Sequence, residues 1–214
     1  MKKVEALQQT ECGKRLIACA MVLAMAVGVS VPAPVAADHV KLPAVPSNIQ
    51  APPGAKAYLK AHAIGTQNYI CLPSGSGFAW TLFGPQATLY KDNGTQLITH
   101  FLSPNPDESG TLRATWQHAK DTSSVWAAAI ASSSDLAFVE PGAIPWLLLR
   151  VLGDQPGPTG GDQLSQTTFI QRLNTSGGVA PSTGCNQSAH VGARMFVPYA
   201  ADYVFLTGGV DDDD

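Results

Sequence analysis

The succession of short β-prone segments is the feature that most constrains how this chain can fold. From residue 56 onward, runs rich in β-branched and aromatic residues recur at close spacing, separated by clusters of Gly, Pro, Asn and Ser. In the first run, Leu59, Ala61 and Ala63 alternate with other residues, which is the period of a strand with one buried face. About nine such runs without an internal repeat predict an all-β, single-domain antiparallel β-sandwich or barrel.

Three segments carry more specific predictions. The run "IPWLLLRVL", residues 144–152, lacks alternation, so we expect it in the middle of the structure with both faces covered. The alanines of "SVWAAAIASSSDLAF", residues 124–138, make it the one segment that favours a helix as well as a strand. Asn93-Gly94 suits the positive φ angles of a type I′ turn, which predicts a tight hairpin there.

The first 37 residues have the pattern of a secretory signal peptide. Four basic residues precede an apolar run at 16–31, and the small residues Val35 and Ala37 come before the polar Asp38. The run is shorter than the ~20 apolar residues that span a bilayer, and Pro32 ends it. We therefore expect residues 1–37 to be cleaved and the mature protein to be secreted or periplasmic, without membrane attachment.

The remaining chain divides into three parts by composition. Residues 38–55 hold four prolines and no periodicity, which predicts an extended lead-in to a β-domain at 56–207, and an acidic tail follows at 208–214. Residues 1–37 contain four Lys or Arg and two Asp or Glu, so the formal net charge falls from −3 for the whole chain to −5 without them. Such a domain lacks the basic surface that nucleic acids require, and we expect no nucleic-acid partner.

Two cysteines, Cys71 and Cys185, remain after the signal peptide. Paired cysteines are usual in exported domains, and neither residue has the C-x-x-C neighbour that a zinc site favours. We expect these two residues to form a disulfide bond. A free reactive thiol is the alternative.

Five motifs follow one another over roughly residues 50 to 206: "HAIGTQNYIC", "ATWQ", "IPWLLLRVLG", "TTFIQRLNTSGG" and "VPYAADYVF". Together they resemble a set of exported bacterial and fungal proteins, the domain of unknown function 3455 family. The residues that match the family motifs are His62, Gly65, Gln67, Tyr69, Cys71, Trp116, Gln117, Pro145, Trp146, Gln171, Arg172, Asn174, Gly177, Gly178, Cys185, Pro198, Tyr199, Asp202 and Tyr203. The resemblance implies an exported single domain and assigns no activity.

The chain departs from the family pattern at two places. In "KDTSSVW", Thr122 stands where the family tends to have the glycine of an Asp-Gly-Ser turn, so we expect that turn to differ. Phe169 stands where the family often has tyrosine.

Some fungal relatives carry a malate dehydrogenase label, and the sequence argues against that activity here. A dinucleotide needs a glycine-rich turn between a strand and a helix. The nearest candidate, "GSGFAW" at Gly75, lacks the third glycine and leads into a strand. The chain also lacks an alternating βαβ pattern and a G-x-S-x-G nucleophile elbow. We expect no nicotinamide or other cofactor.

The histidines offer a weaker functional signal. His62, His100 and His118 lie on three β-like segments, and neutral imidazole is a common metal ligand. No spacing rule brings the three together, so structural histidines are the default and no metal site is predicted.

A polar set within the family motifs supplies the binding candidates: His62, Gln67, Trp116, Gln171, Arg172 and Asp202. One interpretation is a polar pocket edged by Trp80, Trp116 and Trp146, which would suit a carbohydrate or a cell-surface polymer. The other is a structural network, because buried polar groups need partners. In that network Arg172 or Arg150 would pair with Asp202, and Gln67 would bond backbone at a bulge near Gly65.

Two functions remain open from the sequence. The favoured one is a non-catalytic extracellular binding or structural module with an unidentified extracellular ligand. The alternative is a small extracellular enzyme with a histidine-based, metal-dependent or metal-free site.

Overall fold

The protein is an eight-stranded antiparallel barrel in the part of the chain that the computed structural model describes, Val40 and residues 42–209. The strands are β1 (Lys56–Ser74), β2 (Gly77–Tyr90), β3 (Gln96–Asn105), β4 (Thr111–His118), β5 (Ser124–Ser133), β6 (Trp146–Gln155), β7 (Phe169–Gly177) and β8 (Arg194–Thr207). Short 3-10 turns occupy Ser47–Ile49, Pro106–Glu108 and Ser188–His190. These described residues contain no α-helix, and none of their elements is a helix long and apolar enough to cross a membrane.

Each strand pairs with the next one along the chain, and β8 pairs with β1 to close the barrel. The predicted all-β class is therefore confirmed, with a barrel in place of a sandwich. Nine predicted runs become eight strands because "FAWTLF" and "ATLYK" both belong to β2. A bulge lies between them, next to Gly84 and Pro85. Glycine and proline are tolerated at bulges, so the strand continues through this point.

The barrel interior combines very small and very large side chains. Ala61 and Ala63 on β1 face inward and are fully buried, which leaves room for the rings of Trp116, Tyr203 and Phe205. Alternation of small and large residues is how a narrow barrel fills its interior. Gly65, two residues further along β1, also has no side chain, because a Cβ there would overlap the backbone of Gln86 and Ala87.

A second apolar layer covers the outside of β6, β7 and β8. Outward residues of these strands, such as Leu148, Phe169 and Leu206, pack against Ile49 of the lead-in and Val139 of the β5–β6 connection. The inward Leu149 belongs to the inner core instead. The prediction that "IPWLLLRVL" has both faces covered is therefore confirmed, since apolar layers lie inside and outside β6.

One local prediction was wrong, and one alternative that the sequence left open is decided. Asn93-Gly94 does not form a type I′ turn, because only Gly94 has a positive φ (78°). Gly94 N–H donates to Lys91 O, and Lys91 N–H donates to Thr95 O, so these two bonds enclose a three-residue loop, 92–94. Such a loop is typically a type I turn followed by a left-handed residue, here Gly94. The alanine-rich segment is the strand β5 rather than a helix, because Val125 and Ala127 bury their side chains in the barrel core.

The β4–β5 turn places Thr122 in the left-handed region, with φ 60°. This is the turn that the sequence analysis expected to differ from the family pattern. A β-branched residue is rare at such an angle because its side chain crowds the backbone. The turn is nonetheless well bonded, since the Asp121 carboxylate accepts hydrogen bonds from Ser123 N and Ser123 Oγ.

The disulfide expected from the sequence is present. Cys71 on β1 is bonded to Cys185 in the β7–β8 connection, with Cα atoms 5.5 Å apart. The backbone of Cys71 also exchanges hydrogen bonds with Gly192 and Ala193, so this long connection is held against β1 at two points. The predicted signal peptide, 1–37, and the acidic end of the tail, 210–214, lie outside the described residues.

Loss of the disulfide is expected to weaken folding strongly. It closes a loop with a sequence separation of 114, so the chain-entropy estimate is about 4–5 kcal/mol. We expect a Cys71→Ser, Cys185→Ser double variant of the exported protein to lose stability of that order in urea unfolding. A thiol titration of the denatured, unreduced wild type should find no free sulfhydryl, and two would contradict the pairing.

Replacing Thr122 by glycine is expected to stabilise the protein. Relief of the left-handed backbone is worth ~1–2 kcal/mol, and the extra freedom of glycine in the unfolded chain offsets ~0.5–1 kcal/mol of it. We therefore expect Thr122→Gly to raise the unfolding free energy by about 0.5–1 kcal/mol. The matched control, Thr99→Gly in β3, should lower it, and a loss at both positions would show that Thr122 is unstrained.

Candidate ligand-binding cavity

A cavity of about 480 Å3 occupies one part of the barrel interior. Apolar side chains from β2 to β6 form most of its wall, and β1, β7 and β8 contribute Gln67, Arg172 and Tyr203. The remaining lining residues are Leu82, Phe83, Gly84, Pro85, His100, Leu102, Leu112, Ala114, Trp116, Ala127, Ala129, Leu147 and Leu149. The strands that close the barrel thus also build an apolar chamber with a few polar groups.

The chamber opens sideways between β2 and the β3–β4 hairpin. Hydrogen bonding between β2 and β3 stops at Ala87↔His100, and beyond it the strands are joined only by side-chain packing such as that of Leu102 against Gly84. Leu82 on β2 and Leu112 on β4 line the cavity but are 51% and 58% exposed. The hairpin tip bends to the outside of the barrel, where Asn105 Nδ2 donates to Leu152 O at 3.3 Å.

Aromatic rings form the inner end of the chamber. The His100 ring stacks on Trp116, with centroids 4.2 Å apart and planes 13° from parallel, and Tyr203 meets both rings edge-on. His100 Nδ1 donates to Thr115 O at 2.8 Å. Burial lowers the pKa of His100 to about 3, so the imidazole is neutral at physiological pH and its Nε2 is an acceptor.

Arg172 is the one cationic residue among those that line the cavity. Its Nε and Nη2 donate to the backbone carbonyl of Pro145, at 3.2 and 2.8 Å. Within the described residues no carboxylate lies within 4.0 Å of the guanidinium, since the ion pairs there involve other residues. The prediction that Arg172 or Arg150 pairs with Asp202 was therefore wrong.

The ionisable groups around the guanidinium cannot neutralise it. Burial raises the pKa of Tyr69, Tyr199 and Tyr203, and in each case the Arg172 charge opposes that rise. These phenols stay protonated at neutral pH, and His100 stays neutral. The cation therefore faces an apolar chamber with only neutral groups near it.

Two buried N–H donors adjoin the same chamber. Gln67 and Trp116 line it and are 3% and 1% exposed, while Gln67 Nε2 and Trp116 Nε1 have no acceptor in the part of the chain that the structure describes. The predicted hydrogen bond from Gln67 to the backbone near Gly65 is therefore not made by Gln67 Nε2. Buried donors without an acceptor are rare and costly.

The six predicted binding residues do not share one cavity. Gln67, Trp116 and Arg172 line the chamber. Gln171 points the other way, and its Nε2 donates to Ile49 O at 2.7 Å beneath the lead-in. Of the predicted tryptophan edge, only Trp116 lies here, because Trp80 bonds Thr183 O and Trp146 packs in the outer apolar layer.

His62 and Asp202 form a separate polar cluster on the outside of the barrel. His62 Nδ1 lies 2.5 Å from Asp202 Oδ1, and its Nε2 lies 2.6 Å from Asp92 Oδ1. Asp202 Oδ2 accepts from Lys60 at 3.0 Å and from Asn174 at 2.8 Å. The hydrogen bond to Asp92 raises the pKa of His62, burial opposes this, and Asp202 adds to the rise.

Asp202 responds in the opposite direction. Burial acts to raise the pKa of its carboxyl group, but hydrogen bonds from Asn174, Lys60 and His62 together hold it below the usual value. The cluster is thus an ion-paired network that joins β1 and β8 on the outer surface.

The three histidines of the sequence analysis do not converge. His62 is in the outer cluster, His100 stacks on Trp116, and His118 bonds Asp121 at 2.9 Å in the β4–β5 turn. Residues 42–209 hold no group of three or more His, Cys, Asp or Glu side chains placed to bind a metal ion.

Sequence reasoning did not single out most of the chamber wall. Leu82, Leu102, Leu112 and Leu147 come from four strands, and only the fold shows that they surround one space. Tyr203 was among the family-matching residues. It follows the polar Asp202 on a strand, and because successive side chains face opposite sides, this order indicated that Tyr203 points inward.

Comparisons with known proteins find one family. The sequence pattern described as "Protein of unknown function (DUF3455)" matches residues 52–207, which include every strand of the barrel. No curated protein and no solved structure matches the chain.

Replacing Gln67 by leucine is expected to cost little in stability. Among the described residues Gln67 Nε2 has no acceptor in hydrogen-bond geometry, although the Tyr199 hydroxyl is a polar neighbour of the amide. Exchange for an apolar group of similar shape is therefore close to neutral. The matched control is Asn105→Leu, because that buried amide donates to Glu108 and Leu152 O and accepts from Asp107 N. We expect a loss of about 1–3 kcal/mol at Asn105 and under about 1 kcal/mol at Gln67, measured by urea unfolding. An equal loss of unfolding free energy in the two variants would show that the Gln67 amide makes a stabilising hydrogen bond, and would contradict this prediction.

The outer cluster predicts a pH dependence of stability. A raised His62 pKa stabilises the fold below the unfolded value of 6.5, and this contribution disappears as pH rises through the folded pKa. The lowered pKa of Asp202 stabilises the fold above the unfolded value of 3.8, and this contribution is lost as pH falls through the folded pKa. We expect His62→Gln to remove the decline in melting temperature above about pH 6.5. The control His190→Gln, whose ring bonds Gln187, should keep that decline, and an unchanged profile in both variants would contradict the assignment.

Proposed function

We propose that this chain, a member of the DUF3455 family of proteins of unknown function, is an exported, non-catalytic protein that binds one small, mostly apolar molecule inside its barrel. Eight-stranded up-and-down barrels are wide enough to hold one small ligand. Binding proteins of this kind need a chamber, an opening and a few orienting polar groups. The barrel has all three.

The apolar chamber carries the proposal. Its volume of about 480 Å3 lies within the ~300–1,000 Å3 of small-molecule sites, which are mostly apolar with few polar groups. Empty space of this size forfeits van der Waals contacts that a purely structural barrel would keep. A ligand that fills the chamber would restore those contacts.

Export is part of the same proposal. The signal-like pattern at residues 1–37 and the Cys71–Cys185 disulfide support an oxidising compartment, either outside the cell or in the periplasm. We place the binding event there.

The chamber favours an apolar ligand over the carbohydrate or polymer that the aromatic residues suggested. A sugar presents hydroxyl groups on every side and needs many hydrogen-bond partners. Here leucine, alanine and proline supply most of the wall. The histidine-based enzyme has less support, because His62 is bonded to two carboxylates on the outer surface and does not line the chamber.

A neutral fluorescent probe tests the proposal. We expect N-phenyl-1-naphthylamine to bind the exported protein saturably, at one per chain, with the emission increase of an apolar site. Ala129→Phe should weaken this binding strongly, because Ala129 is an exposed residue of the chamber wall and a larger ring there narrows the space that the probe enters. The matched control is Ala128→Phe on the same strand, since Ala128 is not a lining residue.

Further variants separate this site from the other candidates. His62→Ala should leave probe binding unchanged, because His62 is not among the described residues that line the chamber. We expect the same of a variant that lacks Asp211–Asp214, because an acidic segment adds nothing to the affinity for a neutral apolar probe. Soluble oligosaccharides such as maltotriose should not displace the probe. Absence of saturable binding, or equal binding by the Ala129→Phe variant, would refute the proposal.

A further inference from the structure

We infer that the ligand in the chamber is an amphipathic monocarboxylate whose carboxylate binds Arg172 and whose aliphatic chain lies along the leucine-lined wall. The inference rests on the proposed function and adds the chemical class of the ligand. Its basis is the hydrogen bonding of the Arg172 guanidinium and the absence of a carboxylate near it among the described residues.

Arg172 has donors to spare and no anion to receive them. Its two hydrogen bonds share a single acceptor, the Pro145 carbonyl, and its other polar neighbour is the neutral hydroxyl of Tyr203. The five N–H donors of the guanidinium therefore outnumber its acceptors in the described structure, and no acceptor carries a negative charge. The Arg172 side chain is partly buried, so water screens its charge only in part and an anion beside it is held more strongly than at an open surface. An anionic group that enters the chamber would supply the missing partner.

The surroundings of Arg172 select for one negative charge brought from outside. Tyr69, Tyr199 and Tyr203 are protonated and His100 is neutral, so no nearby protein group provides that charge. One guanidinium balances one carboxylate, and its planar fork matches the two carboxylate oxygens. A phosphate monoester carries up to two charges and would remain partly uncompensated.

The rest of the chamber selects for an aliphatic body. Leu82, Leu102, Leu112, Leu147 and Leu149 contribute to the wall from four strands. The sideways opening between β2 and the β3–β4 hairpin is flanked by the exposed Leu82 and Leu112, so a chain can pass without crossing a polar surface.

The donors of Gln67 and Trp116 agree with an acceptor-bearing ligand. Gln67 Nε2 and Trp116 Nε1 are buried without acceptors, and both residues line the same chamber as Arg172. Neither side chain carries a negative charge. The wall also holds the neutral acceptor of His100, but its one charged group is a cation and two of its N–H groups lack acceptors, which is the complement of a carboxylate.

Competition between a carboxylate and its alcohol tests the inference. Dodecanoate and dodecan-1-ol have the same chain length and differ in charge, and each is titrated against bound N-phenyl-1-naphthylamine below its aggregation limit. We expect wild-type protein to bind dodecanoate about tenfold or more tightly than dodecan-1-ol, since a charge-assisted pair is worth at least that factor. Decyl phosphate, the dianionic comparison, should bind more weakly than dodecanoate.

Arginine variants assign the preference to one residue. Arg172→Gln should remove the preference for dodecanoate while retaining dodecan-1-ol binding, which also shows that the variant is folded. Arg172→Lys should keep part of the preference. The matched control is Arg150→Gln, because Arg150 is exposed and does not line the chamber, and it should behave as wild type.

The outcomes separate this inference from the proposed function. If neither the probe nor either dodecyl compound binds, the binding function itself is wrong. If the two compounds bind wild type equally, or Arg172→Gln keeps the preference, the chamber binds apolar ligands but the carboxylate inference is overturned.

Discussion

The pairing of β1 with β8 is the contact on which the rest of the structure depends. It runs from Lys56↔Thr207 to Ile70↔Arg194 and joins the first strand of the barrel to the last. Without it the meander would be an open sheet with two exposed edges, which invite association with other chains. Closure removes those edges and also creates an enclosed interior. The outer cluster of His62, Lys60 and Asp202 lies on this seam and adds ion pairs to its hydrogen bonds.

The interior that closure creates is used in two ways. One part is packed, where small residues of β1 make room for Trp116, Tyr203 and Phe205 and where burial of apolar surface stabilises the fold. The other part is the chamber, where the wall is equally apolar but the space is left free. Arg172 belongs to the second part, and its unpaired charge makes sense in a binding protein more readily than in a purely structural one.

Neighbouring residues of one motif serve different faces of the barrel. In "FIQRLN", Gln171 bonds the lead-in outside while Arg172 lines the chamber, and in "AADYVF" Asp202 joins the outer cluster while Tyr203 is in the core. The cause is the two-residue period of a strand, which sends successive side chains to opposite sides. Polar residues that are close in sequence are therefore divided between a structural network and a candidate site.

The sequence by itself determined the β class, the disulfide and the family, because alternation, cysteine number and motif order are local or countable properties. It also supplied three of the chamber residues, Gln67, Trp116 and Arg172. Tertiary structure decided the choice of a barrel over a sandwich, since both have the same strand pattern and differ only in whether β8 returns to β1. It also decided that His62, Gln171 and Asp202 lie elsewhere and that leucines from four strands surround one space. A cavity is defined by what surrounds it, and residues far apart in sequence acquire that relation only when the barrel closes.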